Sequence, residues 1–330
     1  MKEPLVSITM AAYNVDEFIE ESINSILSQT FKNFELICFD DGSTDNTLEI
    51  LKKYETRDSR IQVIAKNSNE GLAVARNKSL KLARGKYVLF LDADDLFDET
   101  LLEKAFEVIE KEQSDIIYWD YVTFYNTNEI EKLKIKKSDL LNVDKHDKKM
   151  LLKRPSFAWV KLIRTEKARE LKIHFPKGYT RQDIPVHWNL VTQIDKVSIL
   201  PERLAYYRQQ PNATTTKKDK RLFDLAYVMD ITREFLIEKN LYAQYKDEFL
   251  RQRLNLLSGM YYSISKNLKK EALTLIAERL GHDETEYINS NNDLRVNSRL
   301  FFKAYQGSVI HKVLYISRLY IRLIYRFIKD

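Results

Sequence analysis

Cysteine, glycine and proline are scarce in this chain. Of 330 residues, one is cysteine, seven are glycine and six are proline. The single cysteine, Cys38, excludes an internal disulfide and suits a reducing compartment; within the apolar run FELICF it reads as a buried core thiol. The first strand-like stretch is followed by AAYNVDE, which has no glycine. Both a Gly-x-Gly-x-x-Gly dinucleotide fingerprint and a P-loop are therefore excluded there. No low-complexity linker and no internal repeat interrupts the chain. No uninterrupted apolar run is long enough to span a bilayer. Lys2 and Glu3 lead straight into a strand pattern, so no secretory leader is expected.

What is present is charge, at 31%, beside an ordinary 44% of hydrophobic residues. This is the composition of a soluble globular protein, long enough for one large domain and an appendage. Lysine and arginine exceed the acids by 54 to 48, a net charge of +6. The excess is uneven, and it points to an anionic partner other than nucleic acid.

The chain is organised around YVLFLDADD, Tyr87 to Asp95. An apolar, strand-like run ends abruptly in Asp92, Asp94 and Asp95. Clustered carboxylates repel, and a divalent cation would remove that repulsion. In an extended chain residues two apart project to one side, so Asp92 and Asp94 can face one metal or ligand together. The plain alternative is a polar turn, with Asp94 or Asp95 capping a helix that starts near Asp98.

Upstream, Leu5 to Asn14 reads as a strand and loop. Phe18, Ile19, Ile23, Ile26 and Leu27 recur at helical spacing. Phe34 to Asp41 is a second strand ending in two acids, after which Gly42 permits a tight turn. Ile61 to Ala65 is a third strand. A helix from about Leu72 to Ala83 follows, with Gly85 read as its C-terminal stop. Strand–helix alternation of this kind predicts an α/β fold with a mostly parallel sheet flanked by helices. Ligands bind such sheets beyond the carboxyl ends of the strands. Three strand ends carry polar groups: Tyr13 and Asn14, Asp40 and Asp41, Asp92 and Asp94. Without a glycine nest, phosphates are expected to be held through a carboxylate-bound Mg²⁺ or Mn²⁺.

These stretches resemble glycosyltransferase family 2, the inverting sugar-nucleotide transferases of GT-A (Rossmann-like) fold. The motifs that carry the likeness are VSITMAAYN, SILSQTFKNFELI, FDDGSTDNT, NEGLAVARNKSLKLARGKY and FLDADD, dense from Pro4 to Tyr125 and fainter to about Thr216. The resemblance implies a UDP-sugar donor and a glycan acceptor, lipid-linked or protein-linked, in bacterial surface-glycan synthesis. It implies that Ala11 and Tyr13 pack around the nucleobase and that Asp41 accepts from the uracil imide N–H. Asn69 and Arg76 would lie near the base and diphosphate, and Asp92 with Ala93 near the ribose or metal. Asp94 would be the main metal ligand, with Asp92 and Asp95 close by. Each has a plainer alternative: Tyr13 as a core aromatic, Asp41 as a turn former, Arg76 as a solvated helix charge.

Further on, SFAWVKLIR resembles the family's Trp-x-Lys-Leu-x-Arg stretch, which places Trp159 and Lys161 near the acceptor or diphosphate; a core role for Trp159 is the alternative. In the position of the family's Glu-Asp pair this chain has Gln182 and Asp183. Asp183 is the expected catalytic base and Gln182 a residue that orients it or the acceptor. An N-cap role for Asp183 is the alternative. His187 reads as a helix-surface or packing residue, and Arg208 is expected to reach the leaving diphosphate. Two other classes are weighed. A sugar-nucleotide pyrophosphorylase would want a glycine- and arginine-rich loop after the first strand, which is absent. A non-catalytic glycan-binding or scaffold subunit is hinted at only by Gln182.

The chain is read in three parts: 1–125 as the nucleotide-sugar half, 126–216 as the acceptor and base half, and 217–330 as an all-helical region. The last of these ends in SVIHKVLYISRLYIRLIYRFIKD. Arg318, Arg322 and Arg326 form one stripe, and Val313, Ile316, Tyr320, Leu323 and Phe327 another. A basic amphipathic helix of this kind suits an anionic inner-leaflet membrane surface, contacted by 308–329. The expected location is cytoplasmic, peripheral to the plasma membrane. Packing on the protein itself, or on a second copy in a homo-oligomer, is the other use of such a helix.

Overall fold

The computed structural model describes residues 3–134, 137–210 and 217–307. The described chain divides into two units, Met1–Gly178 with Gln182–Thr214, and Tyr179–Arg181 with Thr215–Asp330.

The first unit is built on one eight-stranded sheet. In chain order the strands are β1 (Val6–Ala12), β2 (Phe34–Asp40), β3 (Ile61–Ala65), β4 (Tyr87–Asp92), β5 (Leu96–Phe97), β6 (Ile116–Phe124), β7 (Lys161–Arg164) and β8 (Val197–Arg208). Their spatial order is β3-β2-β1-β4-β7-β6-β8-β5. Strands β3, β2, β1 and β4 are mutually parallel, as strand–helix alternation requires. Strands β1, β2 and β4 are buried almost throughout, which explains why they read as continuous apolar runs: helices cover both faces. Those helices are α1 (Ile19–Leu27), α2 (Thr47–Arg57), α3 (Leu72–Leu82) and α4 (Leu101–Lys111), followed by the short α5 (Ile130–Lys134), α6 (Lys148–Leu152) and α7 (Thr165–Glu170), and by α8 (Asp183–Gln193).

The sheet is mixed beyond β4. Strand β7 lies antiparallel between β4 and β6, and the two-residue β5 pairs antiparallel with β8. Such short strands carry too few residues for periodicity to reveal them. Gly85 also differs from its sequence reading. Helix α3 already ends at Leu82, and a Cβ on Gly85 would stand 2.5 Å from the Ser7 backbone nitrogen. Glycine is needed there because β1 passes close, not to stop the helix. Gly42 does form the expected turn, at φ +77°.

The register sets the rim that matters. Ala11 pairs with both Phe39 and Asp92, and Ala12 pairs with Asp40. The ends of β1, β2 and β4 therefore lie at one level, with their polar residues along a single edge.

The second unit is helical: α9 (Asp224–Glu238), α10 (Tyr242–Ser263), α11 (Lys269–Ala277), α12 (His282–Ser290) and α13 (Val296–Tyr305). Helix α10 packs against the other four. Arg253 of α10 is buried and ion-paired to Asp230 (2.8 Å) and to the buried Glu284 (3.1 Å). Among the described residues no helix is long and apolar enough to cross a membrane. The basic amphipathic segment at the C-terminus lies outside the described residues.

Candidate active site at the strand ends

Arg76 is the centre of the site. It lies on α3, buried, with its guanidinium stacked 5.2 Å from the Phe175 ring. One nitrogen, Nη2, donates to Asp92 Oδ1 at 2.7 Å, and the other, Nη1, donates to Asp183 Oδ1 at 2.6 Å. A single planar cation thus ties the end of β4 to the start of α8, joining residues 16 and 107 positions from it. This fork geometry is what guanidinium offers and ammonium does not. The neighbouring Asn77 holds the same region by a reciprocal pair. Its Nδ2 donates to the Phe175 carbonyl (2.8 Å) and its Oδ1 accepts from the Phe175 N–H (2.9 Å). Sequence reading placed Arg76 near the base and diphosphate; in the structure it binds the two acids. Asn77 and Phe175 were missed. The only signal for Asn77 was its position beside Arg76.

Asp183 is the first residue of α8, with 17% of its side chain exposed. The N-cap is Gln182, which makes no capping hydrogen bond. The N-cap alternative for Asp183 is thereby corrected: its carboxylate turns to Arg76 rather than to its own helix. Arg181, just before, holds a left-handed φ of +58°, uncommon for a non-glycine residue. Burial pushes the Asp183 carboxyl up; Arg76 and Lys161 pull it down, while Asp92 adds to the rise. Gln182 is buried, and its Oε1 has no hydrogen-bond partner among the described residues.

The two acids after β4, Asp94 and Asp95, are held by the far end of β8 and the residues beyond it. Arg208 donates from its backbone N–H to Asp95 Oδ1 (2.9 Å), from Nε to the Asp94 carbonyl (2.9 Å), and from Nη2 to Glu21 Oε2 (2.6 Å). Its guanidinium lies between the Phe18 and Phe124 rings, 4.9 Å from each. Arg208 thus shapes the acidic turn. Gln210, unnoticed in the sequence, donates from Nε2 to Asp94 Oδ2 at 2.8 Å.

Burial, with the charge of Asp92 beside it, pushes the Asp94 carboxyl up to about 6. Burial and the Asp94 and Asp92 charges push Asp95 well above the carboxylate range, and its Oδ2 has no partner among the described residues. An all-oxygen donor set under mutual repulsion fits a hard divalent cation. These three acids do not close a three-ligand cage; the one tight cluster of potential ligands among the described residues is the half-exposed His282, Asp283 and Glu286. Asp283 there is ion-paired to Lys246 (2.7 Å). An incomplete protein cage at the strand ends suits Mg²⁺ or Mn²⁺, which take one or two carboxylates together with substrate phosphates.

On the other side of the rim, Tyr13 is 44% exposed, so its core alternative fails. Asp41 is buried, and its two oxygens accept from the Glu70 N–H (3.0 Å) and the Gly71 N–H (2.7 Å). It pins the loop that leads into α3, and each oxygen keeps a lone pair for another donor. Asn69 in that loop is exposed, Ala11 is half-buried at the rim, and Ala93 is buried.

Two expected acceptor residues are turned inward. Trp159 is buried, stacked on Phe157 at 4.8 Å and edge-on to Tyr121 at 5.1 Å. Its core alternative is what the structure shows. Lys161 on β7 is also buried; its Nζ donates to the Ser156 carbonyl (3.0 Å) and lies 5.8 Å from the Tyr118 ring centre. Burial pushes its ammonium down to about 7, Asp183 opposing and Arg76 assisting. Lys161 lines the same small cavity as Asp183. His187 is fully buried, its Nε2 3.2 Å from the Leu151 carbonyl, and burial drives it down to about 3, so it packs as a neutral ring.

A sequence model of glycosyl transferase family 2 matches residues 7–171. The chain is 31% identical over 255 residues to the Bacillus subtilis glycosyltransferase TuaG, named for teichuronic acid biosynthesis, covering 76% of this chain and 98% of TuaG. Over 121 residues it is 43% identical to an Escherichia coli protein, covering 37% of this chain and 46% of that one. That protein is the UDP-Glc:alpha-D-GlcNAc-diphosphoundecaprenol beta-1,3-glucosyltransferase WfaP. In structure it is similar to residues 1–349 of S. aureus TarS in complex with UDP-GlcNAc. The TM-score is 0.58 at 17% identity, over 92% of each chain. It spans 55% of a longer TarS chain.

Proposed function

The chain belongs to glycosyl transferase family 2 and is a glycosyltransferase, and from that premise we propose that it moves a hexose or N-acetylhexosamine from a UDP-sugar to a hydroxyl of a glycan, in surface-glycan synthesis, with inversion. The observation that carries this reading is the junction of Asp92, Arg76 and Asp183 at the strand ends. It unites a donor-side acid with a partly exposed carboxylate of raised pKa, as transfer chemistry requires.

In this reading Tyr13 lies against the uracil ring and Asp41 accepts from its imide N–H. Asp94, with Asp92 and Asp95 beside it, would hold Mn²⁺ or Mg²⁺. When bound, the cation supplies Lewis-acid neutralisation of the departing diphosphate. The acceptor oxygen attacks the anomeric carbon on the face opposite UDP, and Asp183 takes its proton. The bond from that carbon to the β-phosphate oxygen breaks, and its electron pair leaves with UDP. The transition state has oxocarbenium character, by analogy with glycoside hydrolysis. Asp183 has lone pairs left for this task, because Arg76 and the Ala158 main chain occupy only two of its four acceptor positions. Arg76 fixes the carboxylate's orientation, and Gln182 offers its unpartnered carbonyl oxygen to orient the acceptor.

The names of WfaP and of the TarS complex support a UDP-sugar donor, and WfaP's name supports a lipid-diphosphate-linked acceptor. A basic amphipathic C-terminal sequence supports work beside an anionic membrane surface.

The test is a thermal-shift and UDP-release screen with UDP-glucose, UDP-galactose and their N-acetylated forms, each with MnCl₂ or EDTA. One donor should stabilise the protein only with metal and release UDP slowly. Asp183→Asn should lower transfer by ~10²–10⁴-fold, the range of general base catalysis, while donor-induced stabilisation persists. Transfer by this variant at the wild-type rate would remove Asp183 as base. Stabilisation by no UDP species would remove the donor assignment.

A further inference from the structure

A cavity of about 320 Å³ lies on the first unit, lined by Asp120, Tyr121, Asp139, Arg154, Pro155 and Arg203 among others. No step described above uses it. Its position relative to the base follows from the sheet register. Ile163 of β7 pairs with Val88 of β4 on one side and with Ile116 of β6 on the other. Asp92 ends β4 and Asp120 lies on β6, both beyond the last residues paired to β7, on the same side of it. Side chains two apart share a face, so Asp120 projects to the side of Tyr118, Lys161 and Asp92. A second measure comes from the loop before β7. Arg154 and Pro155 line the cavity, Ser156 accepts from Lys161, and the Ala158 main chain bonds the Asp183 carboxylate. Four residues span at most about 14 Å. The cavity is therefore one or two sugar rings from the base.

Its chemistry is an excess of donors. Strand β8 is irregular at this point, as Pro201 within it requires, and the register shifts set Arg203 opposite Asp120. Asp120 is buried and already saturated. Its Oδ1 accepts from the Tyr121 N–H (3.0 Å) and Arg154 Nη2 (3.4 Å). Its Oδ2 accepts from Ser138 Oγ (2.9 Å) and the Asp139 N–H (2.7 Å). Arg203 Nε stops 3.9 Å from that oxygen, too far for a hydrogen bond, and has no partner among the described residues although it is buried. Two guanidinium groups thus share one carboxylate whose lone pairs are spent, and among the described residues Arg203 Nε is left for a guest. Asp139 is exposed at the rim, where solvent screens its charge. Paired guanidinium groups match carboxylate and phosphate oxygens bidentately.

We propose that this cavity is an acceptor subsite that seats an oxyanion of the growing glycan, a phosphodiester or a carboxylate, between Arg154 and Arg203. The proposal rests on Asp183 being the base of a glycosyl transfer. It makes the enzyme selective for an acidic polymer, with the anionic residue placed a ring or two from the hydroxyl that is extended.

The test is calorimetric titration of the full chain at fixed ionic strength, in EDTA so that no metal carries the anion. The probes are sn-glycerol 3-phosphate, D-glucuronate and methyl β-D-glucoside. At least one anion should bind ten-fold or more tightly than the glucoside, and the tighter anion tells phosphodiester from carboxylate. Arg203→Gln should weaken that anion at least ten-fold with an unchanged melting temperature. Should this variant melt early, Arg154→Gln, on a more exposed side chain, reads the same loss. Equal binding of all three probes, or anion binding indifferent to both substitutions, overturns the proposal. UDP with MnCl₂ is titrated separately. If UDP fails to bind, the donor reading falls, whereas UDP binding without anion binding removes the subsite alone.

Discussion

The two halves of the sheet unit differ in how much of their polar set reaches solvent. In the first, residues 3–100, Asp40, Asp41 and Asp95 are buried, but Tyr13 stays 44% exposed and Asp92 28% at the rim. In the second, residues 115–210, Trp159, Lys161 and Arg208 are drawn into the structure and bind other parts of it. The first half rests on a regular parallel sheet whose carboxyl ends open to solvent. The second is threaded by an antiparallel strand and an irregular one, and its large side chains are consumed in packing and in bracing the acidic turn. Family-like motifs therefore leave exposed polar groups at the rim in one half and buried bracing side chains in the other.

That contrast can be broken most severely at Arg76, the side chain that binds both halves. Arg76→Met leaves two carboxylates facing each other without their cation, and loss of one partner from a buried ion network costs ~3–5 kcal/mol. Chemical denaturation should show a loss of that order, with transfer abolished. Arg76→Lys should not restore it, since an ammonium cannot fork between Asp92 and Asp183. A wild-type unfolding midpoint in either variant would dissolve the bridge.

Trp159 offers the next test. As a core aromatic, Trp159→Ala should cost ~3–5 kcal/mol in unfolding free energy. Were it an acceptor contact, the loss would appear in KM for the acceptor with stability intact.

Lys161 sharpens the comparison through pH. Its folded-state pKa is pushed down from 10.5 to about 7. Between these values the unfolded chain binds more protons than the folded one, so stability rises with pH across that window. Below about 7 the cost of burying the ammonium is fully present; above 10.5 it is absent. Each pKa unit is worth ~1.4 kcal/mol, so the effect amounts to a few kcal/mol at most. Urea denaturation of Lys161→Met should show a flatter profile from pH 7 to 10 than wild type and parallel behaviour below pH 6. Superimposable slopes would place Lys161 in solvent.

The smallest effect belongs to the exposed rim. Tyr13→Ala should leave the melting temperature unchanged and weaken UDP by ~1–3 kcal/mol, the range found for aromatic stacking on nucleobases. Unaltered UDP affinity would take the ring out of the donor site.

The sheet was legible because burial on both faces imposes long apolar runs on β1, β2 and β4, and because strand–helix alternation constrains topology. The acids at Asp40–Asp41 and Asp92–Asp95 were legible because like charges rarely follow a buried strand without a purpose. Strand β5 and the roles of Asn77, Phe175 and Gln210 were not. Two residues show no period, and an amide that bonds a backbone group 98 positions away leaves no local trace. Gly85 was given the wrong role because helix stopping is a local rule, whereas close approach by β1 is set from 78 residues away.

By itself, then, the amino-acid order determined the α/β class, the convergence of three strand ends on one edge, and the family. Each of these depends on periodicity or on motifs within a short stretch. Only the tertiary structure decided which way each side chain turns. Arg76 could have been a solvated charge, Trp159 an exposed ring and Arg208 an unpaired surface cation. The choice was made by partners that folding delivers from distant positions, because a buried guanidinium must find carboxylates and a buried ring must find neighbours, wherever in the chain they lie.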